Sequence, residues 1–402
     1  MSTSVTLDLH SWISSKLESQ LLHHLARKKS ILLLGPRQTG KTSLLNRVPS
    51  DLTVSFLLAR ERQKYEKDPA LFTNEIMEFV QQSKKKLPLI IVDEVQKIPA
   101  VMNEVQYLVD KKIAQFILTG SSARKLKMNT DVNLLPGRVV LLRLDPISSI
   151  EYPELKIEQA ISDGTLPAML LEKNVHDRQA DLQTYVETYL EDEIRKESVV
   201  RNLAHFSRFL EWACLESGKL VSYRSISQEI GIAHTTVSGY YQILEDCLIA
   251  ERIDPLTNST TRKKLVKSSR YLIFDLGVRR LGANEATDVH PKRKGEWFEQ
   301  WVGLELIRAS RWEKDRFEVC FWTDPNGPKV DYVIKKNRRY IPIEVKWSAS
   351  PQPSDAKHIE TFISEYPEAK DGGFVVCRTE RRFRLSKNVV AIPWQELFQV
   401  LE

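Results

Sequence analysis

The chain has 402 residues, 42% of them hydrophobic and 28% charged, a length that suggests two or three domains and a composition ordinary for a globular protein. No apolar run approaches the roughly 20 residues that a membrane span needs. The segment from Met1 to Lys16 lacks the apolar core of a secretory signal, and Cys214, Cys247, Cys320 and Cys377 form no CxxC pair. Membrane spans, a disulfide framework and a zinc knuckle are thereby set aside, and a reducing cytoplasm is the expected home. The net charge of +6 is unevenly spread, because 27 Lys plus Arg stand against 20 Asp plus Glu from Thr260 to the end. A basic surplus confined to the last third reads as a solvated face or as a surface for a polyanion.

In chain order, Ile31 to Leu34 is a short apolar run that reads as a buried strand. It is followed by Gly35-Pro36-Arg37-Gln38-Thr39-Gly40-Lys41-Thr42, and then by Ser43 and a helical pattern. This is GxxxxGK[ST] in the strand–loop–helix setting that a phosphate-binding loop requires. Its glycines let backbone N–H groups curl toward phosphates, Lys41 reaches the β and γ phosphates of ATP, and the Thr42 hydroxyl is an expected Mg²⁺ ligand. A second apolar strand, Leu87 to Val92, ends in Asp93 and Glu94. In a parallel sheet that end lies beside the loop. Asp93 is then the expected second Mg²⁺ ligand, and Glu94 the base that polarises the attacking water.

A third strand, Gln115 to Thr119, runs into Gly120-Ser121-Ser122. Ser121 is a candidate γ-phosphate sensor there, or a cap for the next helix. Leu135-Pro136-Gly137-Arg138 offers Arg138 as a charge stabiliser on the phosphates or as a structural arginine. These segments, with Ile90 to Pro99, the stretch from Leu135 to Ser148 and Gly164 to Pro167, resemble a prokaryotic group of poorly characterised AAA+ ATPases with a C-terminal domain of unknown function. The resemblance covers nearly the whole chain. It implies an α/β fold with core sheet order 5-1-4-3-2, an additional strand lying between the acidic and the phosphate-binding strands.

Residues 148 to 198 read as Glu- and Leu-rich helices, with an acidic cluster at Glu191, Asp192 and Glu193 that suits a solvated face or a contact to a neighbouring subunit. Next, Ile226 and Ile230 share one helix face, Gly231 ends that helix, and Val237, Tyr240, Tyr241 and Leu244 line the next. That is a helix-turn-helix pattern. Leu248 to Ile253 and Tyr271 to Phe274 are the expected strands of a wing, with Arg262, Lys263, Lys264, Lys267 and Arg270 near its tip. The second helix exposes His234, Thr235, Ser238, Gln242 and Glu245 without Arg or Lys, a poor set for reading guanine edges. Sequence-independent DNA contact or protein docking is expected of this winged helix.

Gly295 onward is a helix with Phe298, Trp301, Val302 and Leu306 on its apolar face. Lys329 to Lys335 and Tyr340 to Lys346 are strands flanking Asn337-Arg338. A two-residue turn there pairs Ile334 with Ile341 and Asp331 with Glu344. This stretch, from about 290 to 402, resembles the PD-(D/E)XK nuclease fold through Glu299, Asp331 and Glu344-x-Lys346. Val330 stands where that family often has proline. The resemblance implies that Glu299, Asp331 and Glu344 bind Mg²⁺ or Mn²⁺ and that Lys346 assists the attacking water.

The expected architecture is an AAA+ P-loop ATPase core (1–147), a helical lid (148–202), a winged helix (203–284) and a nuclease-like α/β domain (285–402). The expected function is ATP-dependent DNA binding or processing by a homo-oligomer, with or without metal-dependent cleavage. The alternative is a nucleotide-switched protein-interaction module, in stress or phage defence, with an inactive nuclease fold.

Overall fold

The structure is a computed structural model that describes residues 13–123, 137–190, 202–256, 268–324 and 327–401. The acidic cluster 191–193, Leu135 and Pro136, and the basic residues 262–264 and 267 lie outside the described residues.

The first half alternates strand and helix. α1 (Lys16–Ala26) starts at Ser15, whose side chain accepts from the Leu17 N–H, and it buries Leu17 and Leu21. Then come β1 (Ser30–Leu34), α2 (Lys41–Leu45), β2 (Leu52–Ser55), α3 (Ala59–Lys67), α4 (Ala70–Gln82), β3 (Leu89–Asp93), α5 (Val101–Asp110), β4 (Gln115–Gly120) and β5 (Val139–Arg143). The strands form a parallel sheet of order β2-β3-β4-β1-β5, the order that the resemblance implies, with β4 between the acidic and phosphate-loop strands. β1 is buried throughout because the sheet is covered on both faces. Ile31 and Leu33 pack with Leu17, Leu21 and Leu44, while Leu32 and Leu34 pack with Phe72, Met102 and Leu108.

The second half opens with α6 (Ile157–Asp163), α7 (Pro167–Leu171) and α8 (Val175–Tyr185). α9 (Leu203–Leu215), α10 (Tyr223–Ile230) and α11 (His234–Asp246) follow. Gly231 takes the left-handed φ of 77° that ends α10, and Val237, Tyr240, Tyr241 and Leu244 are buried, so the helix–turn–helix pattern is present as expected. β6 (Ala250–Pro255) and β7 (Arg270–Ile273) are antiparallel. After them come α12 (Leu276–Gly282), α13 (Pro291–Trp312), β8 (Glu318–Thr323), β9 (Lys329–Lys336), β10 (Arg339–Val345), α14 (Lys357–Glu365), β11 (Gly373–Cys377), β12 (Phe383–Arg384) and β13 (Val389–Pro393).

Here the structure joins what the sequence separates at 284/285. β6 pairs in parallel with β8, at Asp254–Cys320 and Pro255–Phe321, so one sheet runs β12-β13-β11-β10-β9-β8-β6-β7. α13 is buried almost all round from Trp297 to Ala309, rather than on one face. Its surroundings explain this: one core cluster holds Trp297, Trp301 and Leu304 together with Ile157 and Ile161 of α6, Ile253 and Leu272 of the β6–β7 pair, and Tyr332 and Ile343 of the β9–β10 hairpin. Among the described residues no helix is long and apolar enough to cross a membrane.

Candidate functional site

The first site lies at the carboxyl ends of β1, β3 and β4. Gly35 leaves β1 against the backbone of Leu144, whose carbonyl oxygen would lie 2.4 Å from any Cβ at that position, so only glycine fits. The loop turns through positive φ at Gln38 (59°) and Gly40 (95°). Within it the Thr39 hydroxyl donates to the Pro36 carbonyl at 2.9 Å. The Lys41 ammonium reaches back to the Gly35 and Pro36 carbonyls at 2.7 and 2.8 Å and is held 8% exposed. Tyr185 of α8 donates to the Arg37 carbonyl at 3.2 Å, tying the helical segment to the loop. Thr42 and Asp93 line one cavity of about 380 Å³ together with Thr53 and Ser55, which gives the carboxylate and hydroxyl a shared space of the all-oxygen kind that Mg²⁺ takes. Ser43 sits on the exposed side of α2.

Asp93 accepts from the Thr119 hydroxyl at 2.5 Å, and Ser55 donates to it at 3.5 Å. At Glu94 the chain turns out of the strand with φ 60°, and its N–H donates to Thr119 Oγ1 at 3.0 Å. Burial pushes the Glu94 carboxyl above the usual carboxylate value; Asp93 adds to this, while Lys41, Lys97 and Arg37 oppose it. The Gln96 amide bridges the site, donating to Glu94 Oε2 at 2.9 Å and to Ser121 Oγ at 3.0 Å. Ser121, expected here from the sequence, is joined by Thr119 and Gln96, which carry no motif of their own. Thr119 was legible as the last residue of an apolar strand beside the acidic one. Gln96 carries no motif signal.

Arg138 is a correction. β5 runs parallel to β1 with Val139 beside Ser30 and Arg143 beside Leu34, so Arg138 sits at the amino end of the sheet. At about 3.3 Å per residue it is some five residues from the loop end. Its guanidinium donates to Asp110 at 2.7 Å. Arg143 is the arginine at the loop end of β5, and it is engaged with Asp145 and Glu251.

The second candidate site lies on the β9–β10 hairpin. Asn337 and Arg338 both take left-handed φ, 49° and 66°, the signature of a two-residue type I′ turn. The pairing runs from Arg339–Lys336 to Ile343–Tyr332 as the sequence predicts; the expected Asp331–Glu344 pair lies one step beyond the last paired residues, where the Asp331 side chain accepts from the Val345 N–H instead. Both acids are 2% exposed. Glu299 meets the hairpin directly: the Tyr332 hydroxyl donates to its carbonyl at 2.8 Å, and Arg270 Nη1 bridges its carboxylate and the Asp331 carbonyl. Burial and then Asp331 push the Glu299 carboxyl up to about 7, and the same two causes push Glu344 up to about 8. Glu296 is instead engaged with Arg293.

The metal set does not form as expected. Among the described residues no three His, Cys, Asp or Glu side chains gather closely enough to hold an ion. Cations stand among the acids instead. Lys346 Nζ bonds Glu344 Oε1 at 2.7 Å, Lys329 Nζ lies 3.4 Å from Asp331 Oδ1, and Arg270 Nη1 bonds Glu299 Oε1 at 3.2 Å. The remaining Asp331 oxygen accepts from the Val345 N–H at 3.0 Å. Arg270, expected only near the tip of the wing, is the component of this centre that its place in the sequence does not announce.

Residues 27–153 match the family model described as AAA domain. Residues 154–287 and 294–397 match two families described as domains of unknown function, DUF8612 and DUF4143. Comparison with curated proteins gives no match. Among solved structures the chain is similar to Cdc6p from Pyrobaculum aerophilum, with 13% identity and a TM-score of 0.27 over 68% of this chain and 94% of that one. It is similar also to Drosophila ORC bound to AT-rich DNA and Cdc6, with 8% identity and a TM-score of 0.24 over 65% and 88%. A third likeness is to Pif1 helicases unwinding forked double-stranded DNA, with 11% identity and a TM-score of 0.26 over 43% and 52%.

Proposed function

We propose that the AAA domain of this chain hydrolyses ATP and that the hydrolysis governs contact with DNA through its backbone. The observation that carries the reading is the meeting of Lys41, Thr42, Asp93 and Glu94 around one loop at the carboxyl end of a parallel sheet. In this reading Gly35 to Thr42 wrap the phosphates and Lys41 leaves its two carbonyl partners for the β and γ phosphates. Thr42 and Asp93 hold Mg²⁺, which neutralises charge on the phosphates when bound. Glu94, its carboxyl raised by burial, orients and deprotonates the attacking water, with Gln96 fixing its direction and Ser121 behind it.

The parts beyond the ATPase core are a helical lid, a winged helix and a nuclease-like domain, the last two built on one shared sheet. The basic surplus of the last third and the helix–turn–helix with its two following strands support DNA as the partner. Two observations favour a second reading, a nucleotide-switched protein-docking module. His234, Thr235, Ser238 and Gln242 are exposed on α11 without a cation among them, and the acids of the nuclease-like domain are already paired.

ATP turnover measured alone and with single-stranded, duplex and branched DNA tests the choice. Stimulation by at least one form, fading as salt rises, is the expected result. Normal basal turnover that ignores all three forms at low salt favours the docking module.

A further inference from the structure

The acid centre of the C-terminal domain is balanced by a residue from outside that domain. Glu299 comes from α13, and Asp331 and Glu344 from the hairpin. Lys329 and Lys346 come from the same hairpin, whereas Arg270 opens β7, before the stretch 294–397. Arg270 is 5% exposed. Its Nη1 donates to Glu299 Oε1 at 3.2 Å and to the Asp331 carbonyl at 3.3 Å. Its guanidinium lies 4.4 Å from the centroid of the Phe321 ring. Arg270 Nε has no hydrogen-bond partner, although it is buried.

Charge counting shows what this does. Three carboxyl groups face three cations, so the centre already holds as much positive charge as its acids could balance if all of them were ionised. Two acceptors remain without hydrogen bonds in the protein interior, Asp331 Oδ1 and Glu344 Oε2. They are the oxygens a divalent ion would use. An ion entering beside Arg270, however, would leave the centre with two excess positive charges in a poorly solvated place, where unbalanced charge is strongly disfavoured. The donors suit Mg²⁺ or Mn²⁺, but their charge and grouping do not, so the metal reading fails for this arrangement.

We propose that Arg270 is the resident cation of this centre, taking the place of a divalent ion beside the Glu299 carboxylate and pinning the main chain of Asp331, so that the domain assembles its acid cluster without metal. The proposal rests on the nuclease-like reading of residues 285–402. It makes the β6–β7 pair part of the site. It also makes access of metal to the acids depend on whether β7 keeps its place.

The test is Mn²⁺ binding by the full chain, followed by electron paramagnetic resonance of free Mn²⁺, without nucleotide. Wild type, Asp331→Asn, Arg270→Met and the Arg270→Met/Asp331→Asn double variant are compared, with ATP turnover as the check on folding of the ATPase core. Wild type is expected to bind no more Mn²⁺ than Asp331→Asn. Arg270→Met, which keeps an unbranched stem but removes the charge, is expected to gain a site at least about tenfold tighter than any in wild type. The double variant should lose that site. A site in wild type that Asp331→Asn abolishes overturns the proposal and leaves the nuclease-like reading standing. A folded Arg270→Met protein with no new site overturns both. If Arg270→Met does not fold, Arg270→Gln takes its place, and the wild-type comparison decides without either.

Discussion

At the catalytic end of β3, the Gln96 amide ties the Glu94 carboxylate to the Ser121 hydroxyl. Two acids ending an apolar strand after a phosphate loop identify Glu94 from the sequence, because strand end and loop meet in any parallel sheet of this kind. Nothing in the sequence identifies Gln96, since its role depends on a left-handed turn at Glu94 that swings the amide between Glu94 and Ser121. Gln96→Ala is therefore expected to leave ATP affinity nearly unchanged and to lower turnover about ten- to a hundredfold, the effect of losing orientation of a reacting group. Parallel nucleotide-binding and steady-state assays separate the two. An equal loss of affinity would make Gln96 a binding residue instead. Arg138 failed as a reading because a motif gives proximity along the chain, not which end of a strand a residue occupies. Arg138→Ala should leave ATP affinity of the monomeric chain unchanged in a direct titration.

At the scale of elements, alternation was the reliable signal. Ile31 and Leu33 separate from Leu32 and Leu34 into two cores as period two requires, and the hairpin pairs in the expected register. Asn337-Arg338 is an unusual pair for a type I′ turn, because Arg338 holds φ 66° with a full side chain. Arg338→Gly should stabilise the protein by about 0.5–1 kcal/mol, the left-handed penalty relieved less the added freedom of the unfolded chain. Chemical denaturation reads this directly, and a loss of stability would mean that the arginine side chain makes a compensating contact. The element least legible was α13. Its full apolar face was plain, but its burial on the remaining sides comes from α6 and the β6–β7 pair, partners distant in sequence that no periodicity announces.

For the whole molecule, segments that the sequence separates are connected by charge. Arg311 of α13 bonds Asp145 and Glu251 at 2.6 Å each, and Arg143 of β5 engages the same two acids. This four-residue ion network joins the ATPase sheet, β6 and the C-terminal domain. Burial would raise the Asp145 carboxyl, but Arg311 and Arg143 outweigh it and hold it below the usual carboxylate value. Leu144 lies between Arg143 and Asp145 and contacts Gly35, so the network begins one residue from the phosphate loop. Arg311→Met should cost about 3 kcal/mol, because it strands two partly buried carboxylates on one remaining arginine. Thermal unfolding in low and high salt measures it, and a change well under 1 kcal/mol would show that solvent already screens the network.

The central claim, ATP hydrolysis with Lys41 on the phosphates and Glu94 as the base, is tested most directly by comparing Lys41→Ala with Glu94→Gln. Fluorescent-nucleotide titration and phosphate release are measured on both variants and on wild type. Removing the Lys41 charge should abolish binding and, with it, turnover. The carboxamide of Glu94→Gln cannot take a proton, so that variant should bind ATP as wild type does and release phosphate about a hundredfold more slowly or less. Equal loss of binding in the two variants, or wild-type turnover in Glu94→Gln, would contradict the account.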